Sequence, residues 1–133
     1  MRLESPSSDP DKDVTLVSRW FDKHRTQPKE QRWVNNEGQY HRALRPAVIK
    51  YTRGGDIREE IWFKQGRMHR VGGAAATKWD GERKLLEAWY TDDVLHRVDE
   101  KPALTEYNDD GTISLEEWWV KGNKVKATIV RVF

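Results

Sequence analysis

Apolar and polar residues alternate along most of the chain in runs of about ten, broken by glycine-centred turns. Ile57, Ile61 and Phe63 fall on one parity, as do Leu86, Ala88 and Tyr90, and Ile113, Leu115 and Trp119. A two-residue period of this kind predicts strands with two unlike faces. Glu60-Trp62, Glu87-Trp89 and Glu116-Trp118 then lie on the face opposite the apolar one. Between the runs stand Gly54-Gly55-Asp56, Asp80-Gly81 and Asp109-Asp110-Gly111. Such sequences make hairpin turns, because a positive φ costs glycine nothing. The first thirty residues read differently. Asp9 before Pro10 suits a helix N-cap and first helical position, and Asp11 and Asp13 suit its positive end. Val14, Val17, Trp20, Phe21 and His24 share one helical stripe, which Pro28 ends. This predicts an amphipathic helix over residues 10–25, docked on the sheet, after a disordered segment at residues 1–8. His24, on the apolar stripe, reads as a packed or capping residue.

An internal repeat organises the remainder. Trp33, Trp62, Trp89 and Trp118 are spaced by 29, 27 and 29 residues. Turn residues Gly38, Gly66, Asp93 and Gly122 follow at matching places. Next come His41-Arg42, His69-Arg70 and His96-Arg97, with Val125-Lys126 in the fourth copy. Pro46-Ala47, Ala74-Ala75 and Pro102-Ala103 then each precede an aromatic four positions on: Tyr51, Trp79 and Tyr107. Glu60, Glu87 and Glu116 close the units, two places before the next tryptophan. The fold class expected is therefore mainly β (α+β). It is a single-layer antiparallel meander of about seven strands, built of three hairpin repeats (33–61, 62–88, 89–117) and a partial one (118–133). Residues 9–133 form one domain.

The pattern W-x(4)-G-x-x-H-R-x(3)-P-A-x(3)-Y, followed by a turn and E-x-W, resembles a divergent form of the MORN-type β-hairpin repeats found in bacterial, phage and large-virus proteins. The resemblance covers residues 33–125. The period is longer than that of the ordinary repeat, and His-Arg stands where the latter is glycine-rich. It implies an interaction scaffold and supplies no catalytic residue. It also implies a setting: a small phage or mobile-element accessory protein that inhibits a host or defence protein in the host cytoplasm.

Composition narrows the chemistry. The chain has 133 residues, 35% of them charged, with a net charge of +2. It has no run of about 20 apolar residues to cross a membrane and no apolar leader, so a cytoplasmic location without membrane contact is expected. With no cysteine, disulfides, thiolate chemistry and cysteine-based zinc sites are excluded. The recurring histidines invite a metal reading. However, equivalent residues of successive hairpins are two strands apart, about 10 Å at the usual strand spacing, whereas zinc needs each imidazole at about 2.1 Å. His41, Arg42, His69, Arg70, His96 and Arg97 thus read as structural residues that close turns, the arginine pairing with a repeat glutamate. Paired carboxylates such as Glu59-Glu60 and Glu116-Glu117 suggest acid–base work, but recurrence with a structural period argues for ladder positions. No catalytic or dinucleotide motif is present, and neither an enzyme nor a cofactor is expected.

Two binding readings remain. Trp62, Trp89 and Trp118, flanked by Glu60, Glu87 and Glu116, form an amphipathic ladder of the kind enriched at protein interfaces. The same tryptophans could instead be core. The alternative partner is nucleic acid, held by Lys121, Lys124, Lys126 and Arg131 on the last strand, with interleaved aromatics for base stacking.

Overall fold

The computed structural model describes residues 9–130; the disorder expected of residues 1–8 and the position of Arg131 lie outside them. The fold is an antiparallel meander. Its strands in chain order are β1 (Thr15–Trp20), β2 (Pro28–Val34), β3 (Val48–Tyr51), β4 (Ile57–Ile61), β5 (Phe63–Lys64), β6 (Arg67–Met68), β7 (Ala76–Asp80), β8 (Arg83–Ala88), β9 (Tyr90–Thr91), β10 (Val94–Leu95), β11 (Leu104–Tyr107), β12 (Ile113–Val120) and β13 (Asn123–Ile129). Nine of them form one sheet in the order β1-β2-β3-β4-β7-β8-β11-β12-β13, while β5-β6 and β9-β10 are separate two-stranded ribbons. The expected count of seven fell short because the sheet begins at β1, ahead of the repeats.

The predicted helix over residues 10–25 is absent, and the class is mainly β rather than α+β. The aspartates do shape a start: Asp11 N–H donates to Asp9 Oδ1, and Val14 N–H to the Asp11 carbonyl at 3.0 Å. That turn ends at Val14, and residues 15–20 then run extended against 28–34. Thr15 and Val17 are β-branched and lose side-chain freedom in a helix. Pairing with β2 satisfies their backbone and overrides the helical stripe. Asp22 organises the connecting loop: its carboxylate accepts the Thr26 hydroxyl and the amides of Thr26 and Gln27, bonds that hold its pKa below the usual value. His24 is exposed in that loop, not packed or capping a helix.

Very little is fully buried. Among the described residues, the buried apolar ones are Ala47, Val48, Ala74, Ala75, Ala76, Ala88 and Ala103, and no large side chain is completely enclosed. The alanines mark the repeat junction. The carbonyls of Ala47, Ala75 and Ala103 accept the amides of Trp33, Trp62 and Trp89 at 2.7–2.8 Å, and their own amides donate to Ile61, Ala88 and Glu117 on the other side. At 0% exposure for Ala47, Ala75 and Ala103, these positions have space only for a methyl group.

Each ribbon reverses through two consecutive residues of positive φ: Gln65 (49°) and Gly66 (80°), then Asp92 (45°) and Asp93 (68°). Lys121 (50°) and Gly122 (80°) repeat the conformation between β12 and β13. These are the mirror-image turns that suit twisted hairpins. Successive turns also stack on the previous unit: Gly66 N–H donates to Tyr40, Asp93 to Met68 and Gly122 to Leu95, all at 2.9 Å.

Candidate functional site

The register brings the repeat glutamates into one row across the sheet. Glu60 lies opposite Thr77, Thr77 opposite Glu87, Glu87 opposite Thr105 and Thr105 opposite Glu116. The threonines are buried and the glutamates half-buried. Trp62, Trp89 and Trp118 follow two residues after the glutamates, on the same face, and are also half-buried. Ladder and carboxylates are thus neighbours, as the parity of the strands requires.

What covers the tryptophans is the chain's own arginine. The Arg42 and Arg70 guanidiniums each lie 3.9 Å from the ring centres of Trp33 and Trp62, and Arg97 lies 3.8 Å from that of Trp89. Each is fixed at its other end: Nη1 donates to the carbonyls of Pro46, Ala74 and Pro102 at 3.1–3.3 Å. The expected arginine–glutamate ion pair does not form among the described residues; the guanidinium stacks on an indole instead, a contact favoured when partly desolvated. In the fourth unit Lys126 takes the place of arginine, 4.3 Å from the Trp118 ring.

The histidines tie one unit to the next. Nδ1 of His41 accepts the Gln65 amide at 3.0 Å, that of His69 the Asp92 amide at 3.2 Å, and that of His96 the Lys121 amide at 2.9 Å. Each donor is the first residue of the next tight turn. An Nδ1 that accepts puts the ring proton on Nε2. Among the described residues, no group of three or more histidine, aspartate or glutamate side chains is arranged to hold a metal ion.

The middle of the row forms a groove of about 300 Å³ lined by Glu60, Trp62, Arg70, Trp79, Glu87 and Trp89, among others. Its carboxylates differ. The Tyr107 hydroxyl donates to Glu87 Oε1 at 2.5 Å, and Lys84 Nζ lies 3.5 Å from the same oxygen. Burial and the bonded Glu87 push the Tyr107 phenol up to about 12. Tyr51 stands likewise over Gln31, at 2.6 Å. In the repeat between them Trp79 replaces tyrosine, so the Glu60 carboxylate receives no hydroxyl and makes no hydrogen bond among the described residues. Burial raises its pKa, against the opposing pull of Arg70.

The described C-terminal lysines, Lys121, Lys124 and Lys126, do not gather into one patch. A bulge between Trp118 and Trp119 breaks the β12–β13 register. Lys126 accordingly lies over Trp118, while Lys124 lies 3.5 Å from Glu117, whose parity is that of the opposite face. Lys121 occupies the tight turn.

The sequence pattern does not single out three exposed aliphatic side chains. Leu44, Val71 and Val98 sit at the tips of the three His-Arg loops and are 79%, 87% and 59% exposed. Their shared signal is a place one or two residues after the repeat arginine.

The chain matches no protein-family model, and no curated protein or solved structure matches it significantly.

Proposed function

We propose that this protein is a non-enzymatic binding module, a divergent MORN-type hairpin array that holds another protein on the Glu60–Glu87–Glu116 face of its sheet. The observation that carries this reading is the row itself. Half-buried carboxylates alternate with buried threonines beside arginine-capped tryptophans, and no second layer of the described residues packs over them. Half-desolvated acids next to rigid aromatics supply the central anchors that protein interfaces use. By the same resemblance, the partner is a host or defence protein whose activity the complex inhibits.

The separation of Lys124 from Lys126 favours a protein over nucleic acid, since a phosphate chain tracks a continuous basic groove. Affinity capture with matched variants tests the reading. A protein retained by the wild type should be lost with Glu87→Lys and retained with Lys124→Gln. Retention of nucleic acid in place of protein, with steep salt dependence, would overturn it.

A further inference from the structure

A second surface lies between the loop of residues 41–47 and that of residues 69–75. They enclose a groove of about 530 Å³ whose lining includes Leu44, Val71, Arg42, Lys64 and Arg70. The remaining described lining residues are Pro10, Ala43, Trp62 and the two loop histidines, so no carboxylate lines the groove among the described residues. The arginines are stacked on Trp33 and Trp62 and feel Asp11 and Glu60 electrostatically, but none of the three cations is at ion-pair distance from a described carboxylate. Each arginine spends only Nη1 on its own loop. Asp11, which faces Arg42, already has its Oδ1 taken by the Ala43 amide at 2.9 Å. His41 and His69 add Nε2–H donors, because their Nδ1 atoms are accepting. Beside these donors stand two of the most exposed aliphatic side chains of the fold, Leu44 and Val71.

We propose that this groove docks an acidic, extended segment of the protein partner. A carboxylate sits among Arg42, Lys64 and Arg70, and the flanking aliphatic residues pack on Leu44 and Val71. The occupant follows from charge complementarity: a groove whose described lining carries three cations and no acid attracts carboxylates, and protruding aliphatic side chains gain by covering apolar residues. A nucleic-acid strand fits less well. Leu44 and Val71 offer nothing to a phosphate, and the Trp62 face on which a base would stack is already covered by Arg70. The inference rests on the protein-binding reading and adds a second point of contact to the sheet face.

The test uses defined probes on the full chain: a blocked hexapeptide of alternating leucine and glutamate, its leucine–glutamine twin, and an oligo(dT) strand. The glutamate peptide should bind at least about tenfold more tightly than its twin. Lys64→Glu and Val71→Ser should each weaken it by about fivefold or more without changing the far-UV spectrum, since both residues are exposed. Equal binding of the two peptides, unchanged binding by both variants, or displacement of the peptide by oligo(dT) would each overturn the assignment. The sheet variant Glu87→Lys separates the two readings. If it loses the captured protein while the hexapeptide never binds the wild type, the groove falls and the sheet face stands. If the hexapeptide binds as stated while Glu87→Lys keeps the captured protein, the sheet face falls and the groove stands.

Discussion

Gly73 and Arg70 should behave as one unit. A Cβ at Gly73 would lie 2.6 Å from Arg70 Cζ and 2.7 Å from Nε. A guanidinium at the end of a flexible side chain normally swings away from such a contact at little cost. This one is held on both sides, by the Trp62 ring at 3.9 Å and the Ala74 carbonyl at 3.1 Å. Gly73→Ala therefore releases the lock and reports its worth. A half-desolvated cation–π contact is worth about 1–2 kcal/mol, and a charged hydrogen bond in a half-buried loop adds about 1 kcal/mol. Gly73 does not have a positive φ, so alanine also stabilises by about 0.4–1 kcal/mol through the unfolded chain. The net expectation is a loss of about 1–2 kcal/mol. With Arg70→Ala already present the clash is gone, and Gly73→Ala should stabilise by about 0.5 kcal/mol. The coupling of about 2 kcal/mol is read from urea melts of the four proteins at constant m-value. Arg70→Lys, which copies the Lys126–Trp118 pair, should retain part of it. Effects of Gly73→Ala that agree in both backgrounds within about 0.5 kcal/mol would refute the idea that the arginine is held.

The folded Tyr107 pKa of about 12 lies above that of an unfolded tyrosine, so its contribution to stability is complete below pH ~10 and is lost as pH rises through about 12. Glu87→Gln should move the ultraviolet-detected titration of Tyr107 back toward normal, and no movement would show that burial alone shifts it. Glu60 has a raised folded pKa, so its contribution grows as pH falls through that value and is lost as pH rises above it. Glu60→Gln should therefore melt higher than the wild type at pH 7 and converge with it in acid; a lower melting point at pH 7 would mean that attraction to Arg70 outweighs burial. His69→Ala removes the acceptor of the Asp92 amide and should cost about 0.5–1 kcal/mol, with faster hydrogen exchange confined to the 90–95 ribbon; slow exchange there would show that the imidazole is not what holds the turn.

Strand parity, the glycine turns and the 27–29-residue period were legible because each is local: a side chain's face depends only on its place along its own strand. The same locality misled at Thr15–Trp20, where six residues satisfy a helical stripe and a strand equally well. What decides is Pro28–Val34, a partner supplied by a loop that Asp22 folds. Ribbons of two paired residues, such as Phe63-Lys64 with Arg67-Met68, are too short to show any period. The arginine's choice of indole over glutamate was hidden for a different reason. Both partners recur at fixed distances from it, and only the backbone path through Pro46, Ala74 or Pro102 selects between them.

Among the described residues, every hydrogen bond that joins the repeats connects a unit only to its neighbour, so one unit should be removable. Deleting residues 62–88 joins Ile61 to Trp89; Asp109 loses Arg83, but the bonds made by His41, Arg42 and Glu60 each find an equivalent partner. His41 Nδ1 would accept the Asp92 amide instead of that of Gln65; both donors are first turn residues, with φ of 45° and 49°. The Arg42 amide would donate to the Tyr90 carbonyl in place of Phe63, as the Arg70 amide now does. Glu60 would face Thr105 in place of Thr77, the relation Glu87 has now. Losing β7 and β8 leaves a seven-stranded sheet, and stability should fall by roughly one repeat's share without loss of cooperativity. A specific marker accompanies the splice. Tyr107, now over Glu87, would come to stand over Glu60 and give it the hydroxyl that Trp79 withholds. The shortened protein should therefore keep a β-type far-UV spectrum and a tyrosine that titrates well above the normal value, and Glu60→Gln should now lower that titration. A shortened chain that fails to melt cooperatively would refute nearest-neighbour assembly. One that folds with a normal tyrosine titration would refute the proposed register of the splice.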